Sequence, residues 1–134
     1  MSKKPFTPII PAPWQQVYID YCHAPAVRVG NDIHLSGLIG YAMDGSVSDD
    51  FSVQVETIFA SMEAILGEAG AGLADVFSLT SYHVGDLKAQ MPDFMRIQVR
   101  WLGKPHPAWT AVGTTELALP GALVEVSAIA RIAG

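Results

Sequence analysis

The sequence predicts an α+β domain: a mixed β-sheet with two helices packed on one face. Three observations carry this reading. An apolar stripe at helical spacing runs from residue 51 to residue 66. Short runs of β-forming residues stand on both sides of it and again near the C-terminus. Glycine- and proline-containing turns separate every segment. With 134 residues and no internal repeat or linker, residues 1–134 form one domain.

The elements follow in order. Prolines at 5, 8, 11 and 13 argue against regular helix at the start, so residues 1–21 read as an extended proline-rich arm laid over a neighbouring subunit. Ala26-Val27-Arg28-Val29 and Ile33 to Leu38 flank Gly30-Asn31-Asp32, a hairpin signal. Asp49 or Asp50 caps the first helix, whose inward face is Val55, Ile58, Phe59, Met62, Ile65 and Leu66, and Gly70 ends it. Asp75 to Val84 is a strand. Pro92 suits the first turn of a second helix, with Phe94, Met95, Gln98, Trp101 and Leu102 on its buried side. Trp109 to Leu117 and Ala122 to Ile132 supply the last two strands. The order is β-β-α-β-α-β-β. It leaves one sheet face open, and the apolar composition suggests burial of that face by association.

Composition narrows the function classes. Half of the residues are hydrophobic and 16% are charged, enough for a core and too apolar for disorder. The net charge is -5 and the pI about 5.1, with no basic stripe, which disfavours nucleic acid and anionic membrane surfaces. Cys22 is the one cysteine, so no intrachain disulfide forms, consistent with a reducing, cytoplasmic location. The N-terminal residues resemble neither a signal peptide nor a membrane span. Histidines 23, 34, 83 and 106 lack metal-ligand spacing, and no glycine loop for phosphate is present, so neither metal nor cofactor is expected.

Four segments in sequence order resemble the Rid family, the YjgF-type reactive-intermediate deaminases. Gly30-Asn31 leading to Leu35-Ser36-Gly37-Leu38-Ile39 is similar to that family's "GN…SGQI" strand. Glu68-Ala69-Gly70 followed by Leu73-Ala74-Asp75-Val76 resembles its "AG…DV" junction. Pro107-Ala108-Trp109-Thr110 lies at its "PARS" segment, and Leu119-Pro120 with Leu123 to Ala130 at its "LP…VEIEAIA" ending. The resemblance implies a chorismate-mutase-like fold and a homotrimer whose sheets form a central barrel. It also implies three sites between subunits, and cofactor-free hydrolysis of enamines and imines to a carbonyl compound and ammonia.

Imine hydrolysis needs a directed water, a proton for the departing nitrogen and a grip on the substrate. Glu125 lies at the family's glutamate, in an apolar strand where desolvation raises a carboxyl pKa, and is the candidate for water and proton handling. A plain interface glutamate is the alternative. Ser36 and Gly37 fall on the site-lining strand, the glycine allowing close approach of a ligand. Trp109 stands where the family's deaminases carry the arginine that grips a substrate carboxylate, with Thr110 beside it. An indole offers one neutral N–H and cannot make that paired, charge-assisted contact. It can stack on a flat ligand or hold a cation, or it can simply fill the cleft.

His23, with Tyr21 as its competitor, falls near the family's site tyrosine, and Phe94 near its site asparagine, where a core role is equally compatible. Arg28, Arg96, Arg100 and Lys104 are unselected sources of positive charge, and His106 is a loop residue near the cleft mouth.

The leading expectation is an enamine or imine deaminase acting on a substrate other than the small 2-imino acids, an aminomuconate-type enamine being one candidate. The second is a non-catalytic trimer binding a small apolar ligand. A ribonuclease role, also attached to the family, is opposed by the acidic charge.

Overall fold

The computed structural model describes residues 3–133. Its elements are β1 (Thr7–Ile9), α1 (Gln15–Tyr21), β2 (Ala26–Val29), β3 (Asp32–Ile39), α2 (Phe51–Glu68), β4 (Val76–Val84), α3 (Leu87–Leu102), β5 (Ala108–Thr114) and β6 (Val124–Arg131). They form one six-stranded sheet in the order β1-β2-β3-β6-β4-β5. Only β4 and β5 pair in parallel, joined by α3, so the sheet is mixed. The buried faces of α2 and α3 meet in one core with Ile33, Leu79, Val124, Val126 and Ala128 of the sheet. The expected α+β architecture is observed.

Local chemistry explains the boundaries. The Asp50 carboxylate accepts the Val53 N–H at 3.2 Å and starts α2, whose six expected inward residues are all buried. Gly70, with φ +76°, turns the chain away after it. Gln54 was not singled out in the sequence, yet it is fully buried and ties two loops together. Its amide donates to the carbonyls of Ser48 and Gly121 and accepts the Leu123 N–H. That last contact sets the entry to β6, the strand that carries Glu125.

Three sequence expectations need correction. The first 21 residues are not an extended arm; the first two lie outside the described residues, but Thr7–Ile9 pairs with β2 of the same chain and Gln15–Tyr21 is helical. Pro11 and Pro13 stand before and within a single 3₁₀ turn, where a missing N–H costs nothing. The proline-free run after them is then free to coil. Pro92 is inside α3 rather than in its first turn, because the Asp86 carboxylate caps the Ala89 N–H at 3.1 Å and begins the helix upstream. Pro92 faces solvent, and Lys88, whose carbonyl it fails to partner, is exposed as well. Met95 is exposed; the buried stripe is Phe94, Ile97 and Gln98, the i, i+3, i+4 positions.

Candidate functional site

Glu125 occupies the face of the sheet that α2 and α3 leave uncovered. Along β6 its neighbours Val124 and Val126 are buried beneath the helices, so alternation turns Glu125 the other way. Across the ladder it stands opposite Ile39 on β3 and Tyr82 on β4. Between Leu35 and Leu38 strand β3 carries one more residue than β6. This bulge lets both leucines point into the core and sets Gly37 against the Glu125 side chain. A Cβ on Gly37 would fall 2.5 Å from Glu125 Oε2, so the carboxylate lies where any other residue's side chain would start.

A cleft of about 540 Å³ opens here, with Trp14, Tyr21, His23, Gly37, Tyr41 and Glu125 among its walls. Helix α1 supplies Tyr21, and the turn before it supplies Trp14. Both come from the segment expected to be an arm. Burial pushes the Glu125 carboxyl above its ordinary value, and the neighbouring His23 ring opposes part of that push. His23 Nδ1 lies 3.3 Å from the Tyr21 carbonyl, which can only accept, so Nδ1 carries a hydrogen. Glu125, Gly37 and His23 are therefore brought together, and Tyr21 joins them rather than competing with His23.

Ser36 is not a wall of this cleft. Its hydroxyl donates to the Ala24 carbonyl at 2.6 Å and its amide to the Pro25 carbonyl at 2.9 Å. It pins the loop that presents His23. Thr110 pairs with Thr80, is exposed and lines neither cleft described here.

Trp109 and Phe94 lie elsewhere in the protomer. Trp109 pairs with Leu79, a buried residue of the helix-covered face, so its side chain is on the opposite face from Glu125. Phe94 is fully buried and its ring stacks on the indole, centroids 5.2 Å apart and planes 16° from parallel. Phe94 therefore fills core and does not line a cleft. Trp109 borders a second groove of about 490 Å³ with Met95, Gln98, Val99, Leu102 and His106. The buried Oε1 of Gln98 has no hydrogen-bond partner.

A buried chain of hydrogen bonds fixes the indole. Trp109 Nε1–H donates to Ser81 Oγ at 2.9 Å, and Ser81 Oγ–H donates to His83 Nε2 at 2.8 Å. His83 Nδ1–H donates to Gln90 Oε1 at 3.1 Å, and the Gln90 amide donates to the Val84 carbonyl at 2.8 Å. The direction is set by the ends, an indole that only donates and a carbonyl that only accepts. Burial lowers the His83 pKa, which keeps the ring in the neutral form this chain requires. Ser81→Ala strands both the indole N–H and the imidazole nitrogen. We expect it to lower unfolding free energy by about 2 kcal/mol, read from urea denaturation. An unchanged midpoint would show that these bonds contribute nothing.

The fold and cleft define a class: an α+β domain with a half-buried carboxylate facing an aromatic-walled cleft. Comparison makes the assignment specific. Residues 16–132 match the family model described as Endoribonuclease L-PSP, and the chain belongs to this YjgF/Rid family. It is 35% identical over 127 residues to the RutC family protein YjgH of Escherichia coli K12, covering 94% of this chain and 95% of that one. It is 30% identical over 114 residues to a 2-iminobutanoate/2-iminopropanoate deaminase of Dermatophagoides farinae, covering 82% and 85%. A solved structure of the protein YJGH superposes with a TM-score of 0.85 over 96% of this chain and 98% of that one, at 35% identity. RidA from Psychrobacter sp. PAMC 21119 does so at 0.77, with 31% identity over 82% and 88%.

Proposed function

We propose that this protein is a hydrolytic imine or enamine deaminase whose substrate is not one of the usual small 2-imino acids. The observation that carries this reading is the Glu125 carboxylate, half-buried above Gly37 in an open, largely apolar cleft, with its pKa raised. A carboxylate in that setting takes a proton from water as it attacks the C=N carbon and returns it to the nitrogen. His23 is placed to share that proton. The deaminase relative gives the reaction class support. The substrate departs from the family's usual one because Trp109 replaces the gripping arginine and is committed to Phe94 and Ser81.

In the homotrimer that the resemblance implies, the Glu125 cleft of one protomer would face the Trp109 groove of its neighbour. The two lie on opposite faces of each sheet and would complete one site only between subunits. An aminomuconate-type enamine is one flat candidate substrate. A ribonuclease role finds no support in the cleft, where among the described residues no lysine or arginine lines the walls.

The test is ammonia release from freshly generated imines and from aminomuconate, with and without the protein. Acceleration of any of them supports hydrolysis, a preference for the small 2-imino acids overturns the substrate part of the reading, and none accelerated sinks it. In favour of a non-catalytic ligand-binding trimer stands the filled position at Trp109, but the open cleft beside Glu125 favours the enzyme. Gly37→Ala offers a sharper check. The new methyl displaces the carboxylate, so kcat should fall by about 10²-fold while the thermal midpoint hardly moves. An unchanged kcat would separate the carboxylate's position from the chemistry.

A further inference from the structure

The walls of the Glu125 cleft say which imines it accepts. Its one acidic group is Glu125, and among the described residues no arginine or lysine lines it. The arginines are engaged elsewhere: Arg131 with Asp32, Arg100 with Glu56, Arg96 with Asp93 and Arg28 with the Gly30 carbonyl. Arg96 borders the Trp109 groove, not the Glu125 cleft, and pairs there with Asp93 at 3.4 Å. A substrate carboxylate would therefore lie beside Glu125 with no guanidinium or ammonium to hold it, the His23 ring in the same cleft already facing Glu125, and like charges repel in a partly desolvated site. An aminomuconate-type substrate meets the same obstacle. A cation meets the reverse: a carboxylate, and the faces of Trp14, Tyr21 and Tyr41. The volume of about 540 Å³ admits an aryl or branched alkyl group.

The geometry points to a carboxylate-free iminium ion as the substrate, the protonated imine of an apolar or arylalkyl primary amine. This rests on the deaminase reading and narrows it. Water adds to the carbon of R₂C=NH₂⁺, forming the C–O bond and giving one proton to Glu125. That proton passes to nitrogen, the C–N bond breaks as Glu125 takes the hydroxyl proton, and R₂C=O leaves with NH₃, which collects that proton and departs as NH₄⁺, with atoms and charge conserved. The reaction that supplies such a substrate is the two-electron oxidation of a primary amine. The product is an aldehyde or ketone.

One pair of compounds isolates the carboxylate. Phenethylamine and phenylpyruvate are titrated into the intact protein by calorimetry. We expect phenethylamine to bind at least about tenfold more tightly, and Glu125→Gln, with its circular dichroism unchanged, to remove that preference. Equal or tighter binding of phenylpyruvate, or no binding of phenethylamine, overturns the inference. In parallel, imines are generated by oxidases from phenethylamine and from phenylalanine, and ammonia release is followed. Faster hydrolysis of the phenethylamine imine supports the inference. Preference for the phenylalanine imine overturns it while leaving the deaminase reading intact. If neither is accelerated although phenethylamine binds preferentially, the deaminase reading fails and the ligand class stands.

Discussion

Glu125→Gln is expected to lower the rate of imine hydrolysis by about 10²–10⁴-fold, the range that a positioned acid–base group contributes. The amide keeps the shape above Gly37 and removes only the capacity to take and return a proton. The same variant should be more stable than the parent at neutral pH. Burial raises the Glu125 pKa in the folded state, so the native protein binds this proton more tightly than the unfolded chain does. Between the ordinary carboxylate pKa and the raised one, stability therefore falls as pH rises, and above both the charged carboxylate is a standing cost. Glutamine does not carry that cost. The advantage should vanish below the ordinary carboxylate range, where Glu125 is protonated in both states. Urea midpoints at neutral and acid pH, read beside ammonia release, test both halves. Unchanged activity removes Glu125 from the chemistry. Lower stability of the variant at neutral pH shows that the carboxylate is held by favourable contacts rather than strained by burial.

What the sequence reveals differs from segment to segment for physical reasons. Helix α2 is legible because six inward residues recur at helical spacing from Val55 to Leu66 within its 18 residues and an aspartate caps it. Helix α1 is not, because it has seven residues, buries none of them and follows a proline cluster, so no periodic signal rises above the breakers. Its loss hides part of one wall of the cleft. In the sequence Tyr21 is only an alternative to His23, and nothing marks Trp14 or Tyr41 as wall residues. The Pro13-Trp14 pair before a proline-free run was the available cue for a helix start.

Glu125 and Gly37 are legible as site candidates from the family pattern, yet their contact depends on the bulge in β3, which periodicity alone does not place. Trp109 is legible as an exception and illegible as a contact. Which face it takes is set by its register against Leu79, and a one-residue difference would turn it towards the Glu125 side. Its buried acceptor Ser81 and the histidine behind it sit in a strand whose sequence shows no reason to single them out.

Phe94→Asn, which introduces the amide that the resemblance implies near this position, is expected to cost about 4 kcal/mol or more of unfolding free energy. Phe94 is fully buried between Phe59, His83 and Trp109, with ring centroids 6.2, 5.4 and 5.2 Å away. Asparagine leaves a cavity where the ring was and adds two N–H donors and one acceptor. Of the polar groups on the surrounding elements, Ser81, His83 and Gln90 are already joined in one chain, and only the unpartnered Gln98 Oε1, one turn along the same helix, is left as an acceptor. The indole of Trp109 loses the ring it stacks on and is held by its bond to Ser81 alone. Position 94 is thus committed to packing, and a polar side chain there needs a smaller or more polar residue at 109 to go with it. Phe94→Asn combined with Trp109→Arg should accordingly cost less than the sum of the two single changes, by more than the roughly 0.5 kcal/mol within which independent sites add. Urea denaturation of the three variants measures this coupling. Strict additivity would show that the two positions are energetically independent, whereas a strong favourable coupling identifies the stacked Phe94–Trp109 pair as one packing unit.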